Sequence, residues 1–400
     1  MKFFFSVYFL LTTSLKFFFL SVQNNVMILL LSKKRGGKMA DKYNREEIIQ
    51  KLNHLKKLKE KHNLPEIQYA ISVCESYLAT PIKRPPLTFA DKIRREYYQI
   101  IEHQLVVPNI LQSQQSYKKC NIAYDYSDYY VNLSSKEMLE LNHDFWEKNT
   151  PKDIYKQFLL LYKQRKSHLH FETNQGDNDT YGECMYIPYY HDLLVYVNPQ
   201  GTIKDAAVLA HEYGHGIQFL TNYHPNIHSK NWIFIEIVST FFEYLFLHYY
   251  TSHGKYQYQS LIALIHTYDH FKKRSNDLYL FLKLLKEMEL DICQNRIEER
   301  QCINDYISEH GTNIFKCYLT PPISEKIVYL FATSIVIELL TIYDKDPEKA
   351  FYILKKIMEI NLQLPSQEYY NRLQALGLCT NNSETVFNNH LKRELTLKKR

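Results

Sequence analysis

Glycine is scarce in this chain, and no two cysteines stand at metal-binding spacing. Only 10 of the 400 residues are glycine. Few glycines, together with long runs of leucine, isoleucine, lysine and glutamate, favour helices over a turn-rich β-sandwich. The seven cysteines are odd in number, widely spaced and without a CxxC pair. This argues against both a disulfide scaffold and a cysteine zinc site, and it favours a reducing compartment, the cytoplasm.

The sequence also lacks a concentrated region of positive charge. The formal net charge is +6, and 45% of the residues are hydrophobic, as in an ordinary globular protein. The densest basic runs are Lys56–Lys61 and Leu391–Arg400, which we interpret as a solvated helix face and a polar tail. No nucleic-acid-binding motif is present. We therefore expect no nucleic-acid partner, and we expect a monomer.

No uninterrupted apolar run reaches the ~20 residues that a membrane-spanning helix needs. Residues 1–31 are very apolar, but Lys16 divides them, and no A-x-A cleavage site follows. Two interpretations stay open. Residues 1–38 are absent from the mature protein, with translation starting at Met39, or residues 1–31 anchor the chain to a membrane with Lys33–Arg35 inside. The first interpretation predicts no membrane contact.

Four regions follow from composition and periodicity, namely the leader 1–38, a helical region 39–170, a chemistry-bearing region 171–380 and a basic tail 381–400. A strand bounded by turn residues is predicted at Asp192–Asn198. Apolar residues at helical spacing predict a mainly α fold, with helices at 43–63, 66–79, 88–106, 135–147, 151–166, 229–250, 256–287, 324–343 and 347–359. A further helix, which carries the chemistry, follows the strand.

That helix begins at Thr202, a good N-cap with Asp205 three residues later. His211 and His215 are four residues apart, so both side chains project from one helix face. Two imidazoles in this arrangement can bind one zinc ion, and Glu212 can reach a water molecule beside it. The pattern HExxH therefore predicts a zinc centre. The alternative is a helix with two surface histidines, but an apolar helix does not carry charged residues without a reason.

Glu236 is the predicted third ligand, 21 residues beyond His215. It shares a helical stripe with Ser239 and Glu243, inside an apolar stretch where an unpaired carboxylate is costly. Two histidines and one glutamate leave one zinc position open, as a catalytic site requires. Glu243 either orients one of the histidines or forms a plain salt bridge.

These residues resemble the thimet oligopeptidase and oligoendopeptidase F family of zinc peptidases. The similarity rests on LAHEYGH at 209–215 and EIVSTFFE at 236–243, with a weaker segment at 328–334, and it covers about 180–340. It implies a zincin-type helical clamshell with a small β element beside the HExxH helix. It also implies one Zn²⁺ per chain, cleavage of short peptides, and pairing of the strand Asp192–Asn198 with the substrate backbone.

One departure from the family concerns the hydroxyl groups that steady the transition state. The expected tyrosine falls on Phe331, and Tyr329 or Tyr318 would have to replace it. We expect an endopeptidase with Glu212 as general base and Tyr329 as oxyanion donor. Two alternatives stay open: an impaired zinc- and peptide-binding protein, and a carboxypeptidase. A carboxypeptidase would need a strongly basic pocket for the C-terminal carboxylate, and the sequence does not indicate one.

Overall fold

The computed structural model describes residues 88–102, 130–171, 181–187, 192–222, 232–288, 296–312 and 323–379, with single residues among 49–78 and 106–110. The chain divides into two compact units, Met1–Pro86 and Leu87–Arg400. In the first unit, Leu52 and Ile71 are helical and buried. Every candidate site residue lies in the second unit, and so does the predicted boundary between residues 170 and 171.

Helices make up most of the described part of the second unit. They are α1 Phe89–Glu102, α2 Ser135–Asn149, α3 Lys152–His168, α4 Ile203–Asn222, α5 Trp232–Tyr250, α6 Gln257–Glu287, α7 Arg296–His310, α8 Ile323–Tyr343, α9 Pro347–Glu359 and α10 Ser366–Ala375. Local residues set several helix starts. Ser134 and Glu137 form a capping box at α2, and Asp346 caps α9 ahead of Pro347. α7 and α10 were not predicted from the sequence.

A three-stranded sheet lies between α3 and α4 in the chain. Its strands are β1 Leu169–Phe171, β2 Tyr181–Ile187 and β3 Asp192–Asn198, in the spatial order β1-β3-β2. β3 has the predicted bounds. It pairs antiparallel with β2 along its full length and parallel with β1 through Val195–Val197. β3 is therefore the central strand, and β2 lies at an edge of the described sheet.

Helix α4 lies at the centre of the hydrophobic core. Every residue from Asp205 to Phe219 is buried, as expected for a helix enclosed on all sides. It packs on α2, α5 and the sheet. The buried side-chain amide of Asn142 on α2 donates hydrogen bonds to the carbonyls of Met138, at 3.0 Å, and Ala206, at 2.9 Å. This contact ties α2 to the first turn of α4 and fixes where α4 begins in the core.

Helix α8 is another apolar wall of the same core. Its segment Lys326–Tyr343 is long and apolar enough to cross a membrane by composition alone, but 67% of that segment is buried inside the fold, so we describe it as a core helix. The ammonium of Lys326 lies 3.0 Å from Asp277 on α6 and joins the two helices. The predicted mainly α fold, with a small β element beside the HExxH helix, is confirmed.

Candidate metal centre

A carboxylate at the start of α4 fixes the beginning of the helix. Asp205 Oδ2 accepts hydrogen bonds from the backbone N–H groups of Gln200, Gly201 and Thr202, at 2.6–2.9 Å. The Thr202 hydroxyl donates to Asp205 Oδ1 instead of capping the helix N–H groups. Half of the predicted capping box is thus present, because the carboxylate and not the hydroxyl satisfies backbone donors. The next two turns carry the candidate ligands.

Three side chains from α4 and α5 converge on one point. The Nε2 atoms of His211 and His215 lie 3.2 and 3.3 Å from Oε2 of Glu236, and the three ligand atoms all lie within 4.8 Å of one another. Ligand atoms bound tetrahedrally to zinc at ~2.1 Å lie about 3.4 Å apart. Both imidazoles are buried. The sequence-predicted ligands are therefore brought together with spacing and chemistry that fit a zinc ion.

Glu243 lies behind this group, two turns after Glu236 on α5. Its Oε2 lies 3.0 Å from Nδ1 of His211. The ring of His211 is therefore held between two carboxylates, one at each nitrogen. Burial lowers the pKa of His211, but Glu236 and Glu243 outweigh it, so that this pKa lies well above its ordinary value. Of the two roles predicted for Glu243, the geometry matches the orienting contact to His211.

The electrostatics of the two carboxylates follow from the same contacts. Burial alone would raise the pKa of Glu236 and of Glu243, but the adjacent imidazoles outweigh it and hold both below the ordinary range. The Ser239 hydroxyl donates to the Glu236 carbonyl at 3.2 Å and lies 3.5 Å from the Glu236 carboxylate. Both carboxylates therefore lie in the site as anions, which is the form that binds a metal or orients a histidine.

Gly214, inside the HExxH motif, allows α4 and α5 to approach closely. A Cβ atom at this position would lie 2.9 Å from the Ser239 Cα, a backbone atom that cannot rotate away. The same atom at Gly216 would meet only the ends of the Leu193 and Leu161 side chains. Gly214 therefore sets the helix separation at which Glu236 reaches the two histidines, whereas Gly216 does not.

Glu212 points to the other side of α4, toward β2. It is buried, and its Oε2 has no hydrogen-bond partner in the part of the chain that the structure describes. Burial raises its pKa to about 8, against the opposing effect of His211 and with the help of the neighbouring carboxylates. A Cβ atom at Gly182 on β2 would lie 2.5 Å from Glu212 Oε1. Glycine is therefore required at Gly182 for this carboxylate to occupy its place.

Glu212 and His211 open into a cavity of about 370 Å³. Polar side chains from α6 and α8 form its opposite side. The lining residues that the sequence did not single out for this site are Lys204, Thr240, Tyr244, Thr267, His270, Arg274 and Thr333. No sequence motif connects these residues. Lys204 alone has a sequence signal for the site, because it shares a helical stripe with His211, seven residues away.

Tyr329 lies on this cavity, as a donor from α8 must, and 37% of its surface is exposed. Phe331 does not. It is fully buried in the core, where its ring packs edge-on against Phe234 at 5.8 Å. Two residues along a helix turn a side chain by about 200°, so Phe331 faces away from the site. Its missing hydroxyl therefore removes no donor from this cavity. Tyr318 lies outside the described residues.

The predicted pairing of β3 with a substrate is wrong for this sheet. β3 is hydrogen-bonded on both sides, to β1 and to β2, so most of its backbone groups are already satisfied. No described strand pairs with the outer edge of β2, and Gly182 of β2 lines the cavity. The edge next to the site is thus β2, which the sequence did not resolve as a separate strand.

The other histidines that the structure describes do not join the metal cluster. His248 lies 3.5 Å from Asp344, and the ring of His253 stacks on Tyr249. His266 and His270 contact each other at 4.2 Å between ring centres. His224 and His228 lie outside the described residues. Within the described part, the group suited to a metal ion is His211, His215 and Glu236.

Comparisons with known proteins give structural matches only. No protein-family model and no curated protein matches the chain. A Bacillus anthracis protein assigned as an oligoendopeptidase F matches at 14% identity and a TM-score of 0.46, over 85% of this chain and 64% of its own. PZ peptidase A, solved with an inhibitor, matches at 16% identity and a TM-score of 0.45, over 90% of this chain and 69% of its own.

A Chlamydophila abortus protein assigned as a peptidase matches at 14% identity and a TM-score of 0.43, over 88% of this chain and 64% of its own. The chain thus spans less than two thirds of the length of two of these proteins. Similarity this low does not establish the activity of the chain.

Proposed function

We propose that this protein is a zinc-dependent metalloendopeptidase that hydrolyses short peptides. The observation that carries the proposal is the convergence of the ligand atoms of His211, His215 and Glu236 on one point. His211 and the neighbouring Glu212 also line the polar cavity. Two imidazoles and one carboxylate leave a fourth position for a water molecule or substrate, as in catalytic zinc sites. The role of each residue follows from its place in that cavity.

The ligand residues hold the ion, and Glu243 holds one of them. Zinc supplies Lewis-acid chemistry, polarising a peptide carbonyl and lowering the pKa of a water molecule toward ~7. Glu243 accepts a hydrogen bond from Nδ1–H of His211, which leaves Nε2 of that ring as the ligand atom. Glu236, held as an anion, supplies the third ligand atom and part of the compensating negative charge.

Glu212 is the general base of the proposed reaction. Its carboxylate accepts a proton from the attacking water and later delivers it to the nitrogen of the leaving amine. Burial in a site with few competing hydrogen bonds keeps the carboxylate available for both transfers. Gly182 permits its position by leaving the space that a side chain would fill.

Tyr329 is the proposed donor to the oxyanion that develops on the scissile carbonyl. It lines the same cavity as His211 and Glu212, and its exposed surface is available to a substrate. A donor of this kind contributes ~2.7–4 kcal/mol to transition-state stabilisation. An extended peptide would lie along the outer edge of β2 and form backbone hydrogen bonds with it.

The setting proposed for this activity is the cytoplasm, with a monomeric protein and no nucleic-acid or membrane partner. The free thiols of Cys184, Cys302 and Cys379 support a reducing compartment. Residues 1–31, which would form the alternative membrane anchor, lie outside the described residues. The alternative of an impaired binding protein rested on Phe331, and that residue lies away from the site.

Hydrolysis of a quenched fluorescent peptide mixture, with zinc measured in the same sample, tests the proposal. We expect one zinc per chain and chelator-sensitive cleavage. Glu212→Gln should keep its zinc and lose cleavage, because the amide binds no proton. Glu348→Gln, the same change at an exposed position on α9, is the matched control. Cleavage that survives Glu212→Gln, or a protein without zinc, would refute the mechanism.

A further inference from the structure

We propose that Lys204 and Arg274 bind the C-terminal carboxylate of the peptide substrate, so that the enzyme releases short C-terminal fragments. This inference rests on the proposed zinc peptidase function, and it places the cleaved bond two or three residues from the C-terminus of a short peptide instead of at any internal position. The starting observation is that two cations, Lys204 and Arg274, line the same cavity as Glu212 and Glu243.

Lys204 lies on the same face of α4 as the zinc ligands. It precedes His211 by seven residues, which is two helical turns. Val208, at the intermediate position of this stripe, also lines the cavity. Lys204 is itself partly exposed and lines the same cavity as His211. The helix therefore presents a cation at a fixed distance from the metal ligands.

Arg274 approaches the cavity from α6. His270, Phe271 and Arg274 stand three, four and seven residues after Thr267, and all four residues line the cavity, so this stripe of α6 faces the site. The pKa of His270 lies below its ordinary value, first because of burial and then because His266, Lys204 and Arg274 surround it with positive charge. Two helices thus contribute cations to the same part of the cavity.

Neither cation has a carboxylate partner of its own. No carboxylate oxygen lies within 4.0 Å of the Lys204 ammonium or the Arg274 guanidinium in the part of the chain that the structure describes. By contrast, Lys326 on α8 lies 3.0 Å from Asp277, which is on the same helix as Arg274. Unpaired cations that line a cavity are suited to bind an anion that enters it.

The spacing along α4 sets the length of the fragment. Seven residues of helix place Lys204 ~10 Å from His211 along the axis. An extended peptide advances ~3.3–3.6 Å per residue. A carboxylate that reaches Lys204 would therefore belong to the second or third residue beyond the scissile bond. The expected products are C-terminal dipeptides and tripeptides.

Charge balance offers a purely structural explanation for the same two cations. Glu212 is buried, and Glu236 and Glu243 are partly buried; nearby positive charge stabilises these three carboxylates whether or not a substrate is present. The two explanations differ in what they predict for the substrate. Charge balance is indifferent to the end of the peptide, whereas carboxylate recognition requires a free C-terminus.

Binding of matched peptides to zinc-loaded Glu212→Gln protein separates the two explanations without requiring turnover. The probes are one short, N-terminally labelled peptide as the free acid, the same peptide as the C-terminal amide, and an amide that ends in glutamate. We expect fluorescence polarisation to show about 10- to 100-fold tighter binding of the free acid than of either amide, the range for a hydrogen bond to a charged group.

Arg274→Gln and Lys204→Gln, each made in that background, should each reduce the preference for the free acid by about tenfold. Lys273→Gln removes the same charge from an exposed position next to Arg274, outside the cavity, and should leave the preference unchanged. Zinc content measured in every variant identifies any that fail to fold.

Equal binding of acid and amide, or no binding of either, would overturn the inference. Tight binding of the glutamate-ended amide would assign the cations to acidic side chains and would overturn it as well. Failure of the proposed function has a different result, because the wild-type protein would then lack zinc or cleave no peptide. Release of larger fragments from the free acid by the wild-type enzyme would contradict the spacing argument.

Discussion

The two sides of the cavity are built in different ways. The ligand wall, formed by α4 and α5, carries His211, Glu212, His215, Glu236 and Glu243 within 33 consecutive residues. The facing wall, formed by α6 and α8, carries His270, Arg274, Tyr329 and Thr333 on helices far apart in the chain. Helix geometry encodes the first wall locally, whereas packing alone assembles the second. Function predicted from a motif is therefore most secure on the ligand wall.

Removal of a zinc ligand from the ligand wall should have the largest effect on zinc binding and cleavage. Glu236→Gln replaces a buried anion with a neutral amide between two imidazoles, so the zinc site loses a ligand and its negative charge. We expect zinc content to fall from one per chain to near zero, with loss of cleavage. Metal analysis after dialysis measures this. Retention of stoichiometric zinc would show that Glu236 is not a ligand.

The facing wall can be tested through its hydroxyl group. Tyr329→Phe should reduce kcat about 10²- to 10³-fold with zinc retained, because one donor to the oxyanion is lost. The counterpart Phe331→Tyr should not raise kcat, since its hydroxyl would enter the core without a partner and cost ~1–3 kcal/mol of stability. Steady-state kinetics and thermal unfolding report the two effects. Faster turnover in Phe331→Tyr would contradict the orientation of α8.

A smaller effect on zinc affinity is expected from a change at Glu243, which lies behind the ligands. Glu243→Gln keeps the size of the side chain but weakens the contact that orients His211. Loss of such an outer contact typically reduces metal affinity 10- to 100-fold. Competition with a zinc-chelating dye measures the affinity, with the exposed Glu348→Gln on α9 as the control. An unchanged affinity would reduce the contact to a plain salt bridge.

The separation of α4 and α5 can be tested with two glycines. Gly214→Ala should destabilise the fold by ~1–3 kcal/mol and weaken zinc binding, because its Cβ meets backbone of α5. Gly216→Ala meets only side-chain ends and gains helix propensity, so its net effect should be near zero. Denaturant unfolding compares the two. Equal effects would show that helix separation does not depend on Gly214.

Local sequence predicted the ligand wall well because its rules are local. Four-residue spacing places His211 and His215 on one face, and the bounds of β3 follow from its flanking turn residues. The sequence also predicted most helices of the second unit, since their apolar periodicity is regular. α7 was missed, and it is short and largely polar.

By itself the sequence determined that α4 would be helical, that two imidazoles and Glu212 would share it, and that a buried carboxylate would follow on α5. Only the tertiary structure decided which strand edge lies beside the site, that Phe331 faces the core, and that Lys204 and Arg274 meet across the cavity. The physical reason is the distance along the chain over which each kind of interaction acts. Helix periodicity and capping act over a few residues, whereas the approach of α4, α6 and α8 depends on packing among segments more than 30 residues apart.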